Sequence, residues 1–225
     1  MWTHLIAAII FLTATVRFAQ TCALPFVRGA EAVFSYLVAV TLCFSSSALY
    51  HTFSNHDQAS MWQLIGYLGI TTLIWASSMA LTAFCFTTCC ALQRAYFAAI
   101  TTAPLLSYFQ VTNILFNSPG RPWDLHVTHV AFGGLVTLPA AHASCRSHHQ
   151  LTKRERHLLK IFWRHLLLNT VGGGICATRF IEKIVGKIAT ELDASHTTMH
   201  VFAVVGAWIY KRGLCLCCLN EAANT

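Results

Sequence analysis

The chain has 225 residues, of which 56% are hydrophobic and only 10% charged, with a mean hydropathy of +0.56. Ordinary soluble domains carry about 25% charged residues, so this composition excludes a soluble core and describes a polytopic membrane protein. The net charge of +7 is an orientation and lipid-surface signal in such a chain, not a nucleic-acid footprint.

A spanning helix needs about 20 mostly apolar residues, and seven such runs fit in chain order. They cover residues 3–20, 31–50, 60–84, 92–112, 125–144, 159–178 and 196–213. The fold class expected is therefore all-α, a single seven-helix membrane domain over 1–225. Placing a charge at the bilayer centre costs about 2.5–3.5 kcal/mol on insertion scales. In keeping with that, Glu31, Asp57, Asp124, Glu155, Glu182, Glu191, Asp193 and Glu221 all fall at run ends or in breaks. The first run lacks a preceding basic residue, which argues against a signal peptide.

The seams are turn chemistry. "NSPGRPWD" (117–124) separates runs four and five, and "SCRSHHQLTKRERH" (144–157) is a basic, solvated break before run six. Pro139 lies inside run five, where a kink is expected, its freed carbonyl re-satisfied by neighbours. Gly172, Gly173 and Gly174 in run six read as sites of close helix approach.

Two segments carry chemistry. "SSSALYHTFSNHD" (45–57) ends the second run in a cluster of hydroxyls, two histidines and an aspartate. "SHTTMHVFAVVGAWIY" (195–210) opens the seventh with His196 and His200 spaced i, i+4, so that both imidazoles leave one helix face. An HxxxH pair alone is weak in a chain with 12 histidines. With His51 as a third nitrogen it describes a three-histidine metal site, provided the second and seventh helices are neighbours. Zinc suits such ligands, with water or substrate in the fourth position.

These residues resemble the progestin and adipoQ receptor family, which includes the haemolysin III proteins. The resemblance is carried by Ser47-xxx-His51-Thr52 and Ser195-His196-xxx-His200. It is extended by "WTHL" (2–5), "FGGLVTLPAAH" (132–142) and "VGGGICATRFIEKIVGK" (171–187). It implies seven helices holding zinc through His51, His196 and His200, with Ser47 close by. The Glu and Asn that normally precede the "WTHL" segment are missing. The family's third helix begins with an aspartate that activates the zinc-bound water, and here Gly66 occupies that position. Asp57, nearby in the loop, and Asp124, at the start of a different helix, are the candidate substitutes.

Other polar groups have blander readings. His56 belongs to a loop, His126 and His129 to a polar helix end, His142 to the interface, and His148 and His149 to the basic break. Trp62, Tyr67 and Trp75 line a pocket or anchor and pack. Most of the ten cysteines act as small hydrophobes. "KRGLCLCC" (211–218) reads as an S-palmitoylation site at Cys215, Cys217 or Cys218. That site and the basic break both place the carboxyl end in the cytosol, whereas the family usually has its amino terminus inside.

The resemblance implies three functional classes: a lipid or hormone receptor, a ceramidase-like zinc hydrolase, and a zinc-dependent membrane cyclase acting on an epoxy-isoprenoid. Each takes a lipophilic small molecule or lipid as its partner, in a multi-pass integral membrane protein that binds no nucleic acid. Hydrolysis needs a base for the attacking water, which Gly66 does not supply. The cyclase reading is therefore favoured, with Ser47, Tyr67 and Asp57 as candidate catalytic residues.

Overall fold

The computed structural model describes residues 2–21, 29–53, 57–117, 122–146 and 151–222. His56, His148 and His149 lie outside the described residues, as do the side chains of Asp124, His126 and His129. All elements among the described residues are helical: α1 (Trp2–Thr21), α2 (Ala30–Thr52), α3 (Ala59–Cys85), α4 (Cys90–Asn117), α5 (Pro122–Val136), α6 (Leu138–Cys145), α7 (Lys153–Thr178), α8 (Phe180–Val185), α9 (Lys187–Glu191) and α10 (Ala194–Ala222). Four of these are long and apolar enough to cross a membrane: α1, α2, α3 and Ala194–Leu219 of α10.

The first four helices follow their apolar runs closely, and the differences from expectation lie later. The fifth run is two helices rather than one kinked helix. The chain breaks at Thr137, and Pro139 sits in the first turn of α6, where its missing N–H is no loss. The Val136 carbonyl at the break accepts the Ser78 hydroxyl of α3, which is the re-satisfaction that an apolar setting requires. The sixth helix starts six residues before its apolar run, because Thr152 and Glu155 form a capping box. The Glu155 carboxylate takes the Thr152 N–H at 2.7 Å, and the Thr152 hydroxyl takes the Glu155 N–H at 3.1 Å. The basic break is thus partly the solvated first turns of α7.

Consecutive helices α1 to α4 pack as neighbours, and α10 closes the bundle by packing on α7, α2 and α1. Tyrosines pin this closure. The Tyr36 hydroxyl of α2 donates to the Ala207 carbonyl at 3.0 Å, and that of Tyr210 donates to Ser77 of α3 at 2.7 Å. The two rings meet edge to face at 5.1 Å. Small residues let α7 and α10 approach: a Cβ at Gly172 would lie 2.8 Å from Phe202, and one at Gly213 would lie 2.9 Å from Ile161. Gly173 and Gly174 face open space, so close approach accounts for Gly172 alone of the three.

The palmitoylation reading narrows to Cys215, which is half-buried. Helix α10 runs on through the cysteine cluster, and Cys217 and Cys218 are buried in the core at 2% and 0% exposure. An acyl transferase has no access to either thiol in this fold.

The bundle has two distinct ends. One gathers the start of α1, the end of α2 and the start of α10. At the other, Arg146 donates to the Cys85 carbonyl at 2.9 Å, joining the end of α3 to the α6–α7 seam. The second end carries Arg94, Arg146, Lys153, Arg154, Arg156, Lys160, Lys211 and Arg212, against Arg179, Lys183 and Lys187 at the first. Positive charge in short connections favours the cytosol. A carboxyl-terminal tag is therefore expected to be digested from the cytosolic side of sealed vesicles, and protection there would establish the reverse orientation.

Candidate metal centre

The end of α2 and the start of α10 bring His51, His196 and His200 together, with one ring nitrogen from each within 4.8 Å of the others. Ring centroids are 5.0 Å apart for His51 and His196, 5.1 Å for His51 and His200, and 4.4 Å for His196 and His200. The i, i+4 spacing accounts for the last pair, and the packing of α10 on α2 supplies the third ring. His200 is buried, while His51 and His196 are half-buried, so the cluster is reached from the end of the bundle.

The outward nitrogens are already engaged. His196 Nδ1 lies 3.1 Å from Asp193 Oδ2, and His200 Nδ1 lies 3.3 Å from Thr3 Oγ1. Metal-bound histidines almost always give their other nitrogen to a carboxylate, carbonyl or similar acceptor, which fixes the tautomer. Nε2 of His200 is buried with no hydrogen-bond partner. A buried imidazole nitrogen left bare in this way fits a metal ligand. The donor set is three imidazoles with no carboxylate among them, which suits zinc and other borderline divalent ions.

Ser195, two residues after Asp193 and next to His196, is held by Glu182. The Glu182 carboxylate accepts the Ser195 N–H at 2.8 Å and the Ser195 hydroxyl, while Ser195 Oγ accepts the Ile181 N–H at 3.0 Å. These bonds tie α8 to the first turn of α10. Asp193 itself adopts a left-handed backbone, φ 45°, a conformation that Asp tolerates better than most residues. Its carbonyl accepts Thr197 N at 2.9 Å and so starts the helix. The HxxxH pair therefore stands on a turn whose geometry the acids define.

The other expected residues are placed as follows. Ser47 is half-buried, and its hydroxyl lies 2.5 Å from Nδ1 of His4 on α1. Tyr67 is half-buried on α3, its hydroxyl bonded to Gln63. Tyr50, within electrostatic reach of Tyr67, packs its ring 5.4 Å from that of His51. Asp57 is exposed in the turn ahead of α3, and Asp193 is the acid that meets a histidine of the cluster. At Gly66 a Cβ would meet nothing within 4 Å, so close helix approach does not account for this glycine. Trp62 stacks on Phe53 at 5.4 Å, two residues beyond His51. Trp75 lies elsewhere, in an apolar groove of about 250 Å³ with Phe34, Val38 and Leu42. Leu42 is nine residues before His51, about 13 Å along the helix.

Sequence reasoning missed Thr3, His4, Asp193 and Glu182. His4 sat within the quoted "WTHL", but nothing in its spacing tied it to residues 43 and 196 positions away. Asp193 was legible in principle, three residues before His196 at a helix start.

Hydrogen bonds from Ser195 hold the Glu182 carboxyl below the usual carboxylate range, more than desolvation raises it. A depressed folded-state value stabilises the protein at neutral pH, and that contribution is lost as pH falls through it. Glu182→Gln should therefore lower the melting temperature at pH 7 in detergent. The two melting curves should converge below the carboxylate range, and a constant gap across pH would assign Glu182 a purely steric role.

No curated protein matches the chain, while the model of the Haemolysin-III related family matches residues 1–210. With its apolar helices, that match makes the protein a multi-pass integral membrane protein. The chain belongs to the haemolysin III-related family, the one that the histidine motifs of α2 and α10 resemble.

Proposed function

We propose that the chain is a single seven-crossing membrane domain with a three-histidine zinc centre, and that it acts on a lipophilic substrate by isomerising cyclisation. The crossings would be α1, α2, α3, α4, the broken α5–α6 pair, α7 and α10. The observation that carries the chemistry is the donor set: among the described residues, His51, His196 and His200 converge with no acid among them, and Asp193, the acid in contact with the cluster there, is engaged on His196.

That arrangement separates two reaction types. Hydrolysis asks for an activated water and a nearby base. Gly66 offers no such base, and Asp193, bonded to a ring nitrogen, serves to orient it. Opening an epoxide to a carbocation asks instead for a Lewis acid and for surroundings that hold water away. His51, His196 and His200 would hold the zinc, which when bound would polarise a substrate oxygen. The residues of the chain orient that centre through Thr3 and Asp193 and present aromatic faces near it. Tyr50 packs its ring against His51, and Trp62 stacks on Phe53, two residues further along the chain. Such faces stabilise a nearby cation through their quadrupoles. The Trp62 Nε1 is buried without a partner and is available to a polar substrate atom. The receptor and hydrolase readings share the metal centre but leave the missing base unexplained or harmful.

The metal is tested first. Purified protein should hold about one zinc per chain, the double variant His196→Ala/His200→Ala none, and Asp193→Ala should bind it roughly 10–100-fold more weakly. Stoichiometric zinc in the double variant would remove the centre.

The reaction is tested by supplying epoxidised prenyl compounds to the chain in a host without competing cyclases. A cyclic isomer of unchanged mass should form and should disappear with His51→Ala. Recovery of untouched epoxides across a broad substrate set would favour a receptor, and open-chain diols a hydrolase.

A further inference from the structure

His4 stands beside the histidine trio yet outside it. Its ring stacks on that of His200 at 3.6 Å with 27° between the planes, while its distance to His51 is 6.4 Å. It is 6% exposed. Its Nδ1 is committed to Ser47 Oγ at 2.5 Å, which fixes the ring about its own axis. Its Nε2 is buried with no hydrogen-bond partner, as is Nε2 of His200. Two bare imidazole nitrogens therefore lie on stacked rings at the floor of one site.

A buried polar atom without a partner is rare in native structures and calls for an explanation. The metal accounts for His200, since that residue belongs to the group of three and its Nδ1 faces Thr3, leaving Nε2 for the ion. The metal does not account for His4, which the 4.8 Å group excludes. A bare nitrogen outside the trio, on a ring stacked against one of its members, is placed to meet what the metal holds, rather than the metal itself.

We propose that His4 is the substrate-contacting residue of this centre. Its Nε2 hydrogen-bonds the oxygen of the ligand that takes the open position, and Ser47 is the residue that positions it. This rests on the metal-centre reading above. The ligand class is a compound with one exposed oxygen, such as an ether, hydroxyl or carbonyl, on an otherwise apolar body. Ser47 then acts through His4, without touching the metal. Thr3, the neighbour of His4, bonds His200, so a single turn of α1 orients both a metal ligand and the group beside it.

The test uses the full chain in detergent, loaded with cobalt(II), whose visible spectrum reports changes in coordination. Acetohydroxamate serves as a small oxygen-donor probe. The unaltered protein, His4→Ala and Ser47→Ala should take up equal cobalt. The probe should bind His4→Ala about 10-fold or more weakly and Ser47→Ala several-fold more weakly, and His4→Gln should recover part of the loss. Unchanged probe affinity in both variants would overturn the proposal and leave His4 a packing residue. Loss of cobalt from a folded His4→Ala would overturn it by making His4 a ligand. Should His4→Ala not fold, Ser47→Ala carries the decision. If the unaltered protein takes up no cobalt, the metal centre fails and this proposal with it.

Discussion

A polar group carried into an apolar helix must find its partner inside the protein, because lipid offers none. Much of the structure is an answer to that constraint. Hydroxyls along the spans fold back on their own helix: Thr15 on Phe11, Thr72 on Leu68, Ser77 on Leu73, at 2.7–2.8 Å. Those that reach across join helices, as Tyr36, Tyr210 and Ser78 do. Even His165, buried in α7, is held by Asn169 and stacked on Tyr210. Against this background, the bare Nε2 atoms of His4 and His200 stand out, sharing that condition among the described residues only with Trp62 Nε1 and Ser107 Oγ.

The same constraint explains what the sequence made legible. Hydropathy reads the cost of burying charge, so the first four helices and their ends follow from apolar runs and excluded acids. It reads nothing of capping, and α7 therefore begins earlier than its apolar stretch. The signal was present in Thr152-Lys-Arg-Glu155, a capping-box pattern, but it lies in a region that looks polar throughout. Pro139 likewise announced a disturbance without saying whether the helix would bend or restart. That outcome depended on Ser78 of another helix accepting responsibility for the Val136 carbonyl, and such a partner is invisible along the chain.

For the candidate centre the division is similar. The i, i+4 pair is a local fact, and a pattern shared between α2 and α10 was enough to associate His51 with it. The residues that orient those rings are mostly distant in sequence. Ser47 and His4 are 43 positions apart, and Thr3 and His200 are 197 apart. Their association exists only because α1, α2 and α10 pack together at one end of the bundle. Asp193 is the exception, close in sequence and overlooked because acids at helix starts usually serve the helix alone.

Asp193 also bears on the choice between chemistries. Its carbonyl starts α10 through Thr197 and its side chain holds His196, while Glu182 clamps Ser195, two residues on. Moving the Asp193 carboxylate toward a water would release His196 from its orientation and unsettle the turn on which both α10 histidines stand. A carboxylate built into the scaffold in this way suits a centre whose task is to hold and polarise. A hydrolytic base needs a carboxylate free to take and return a proton. The glycine at position 66 provides none, and the proposed reading, in which the substrate rearranges and is not cut by water, rests on that difference.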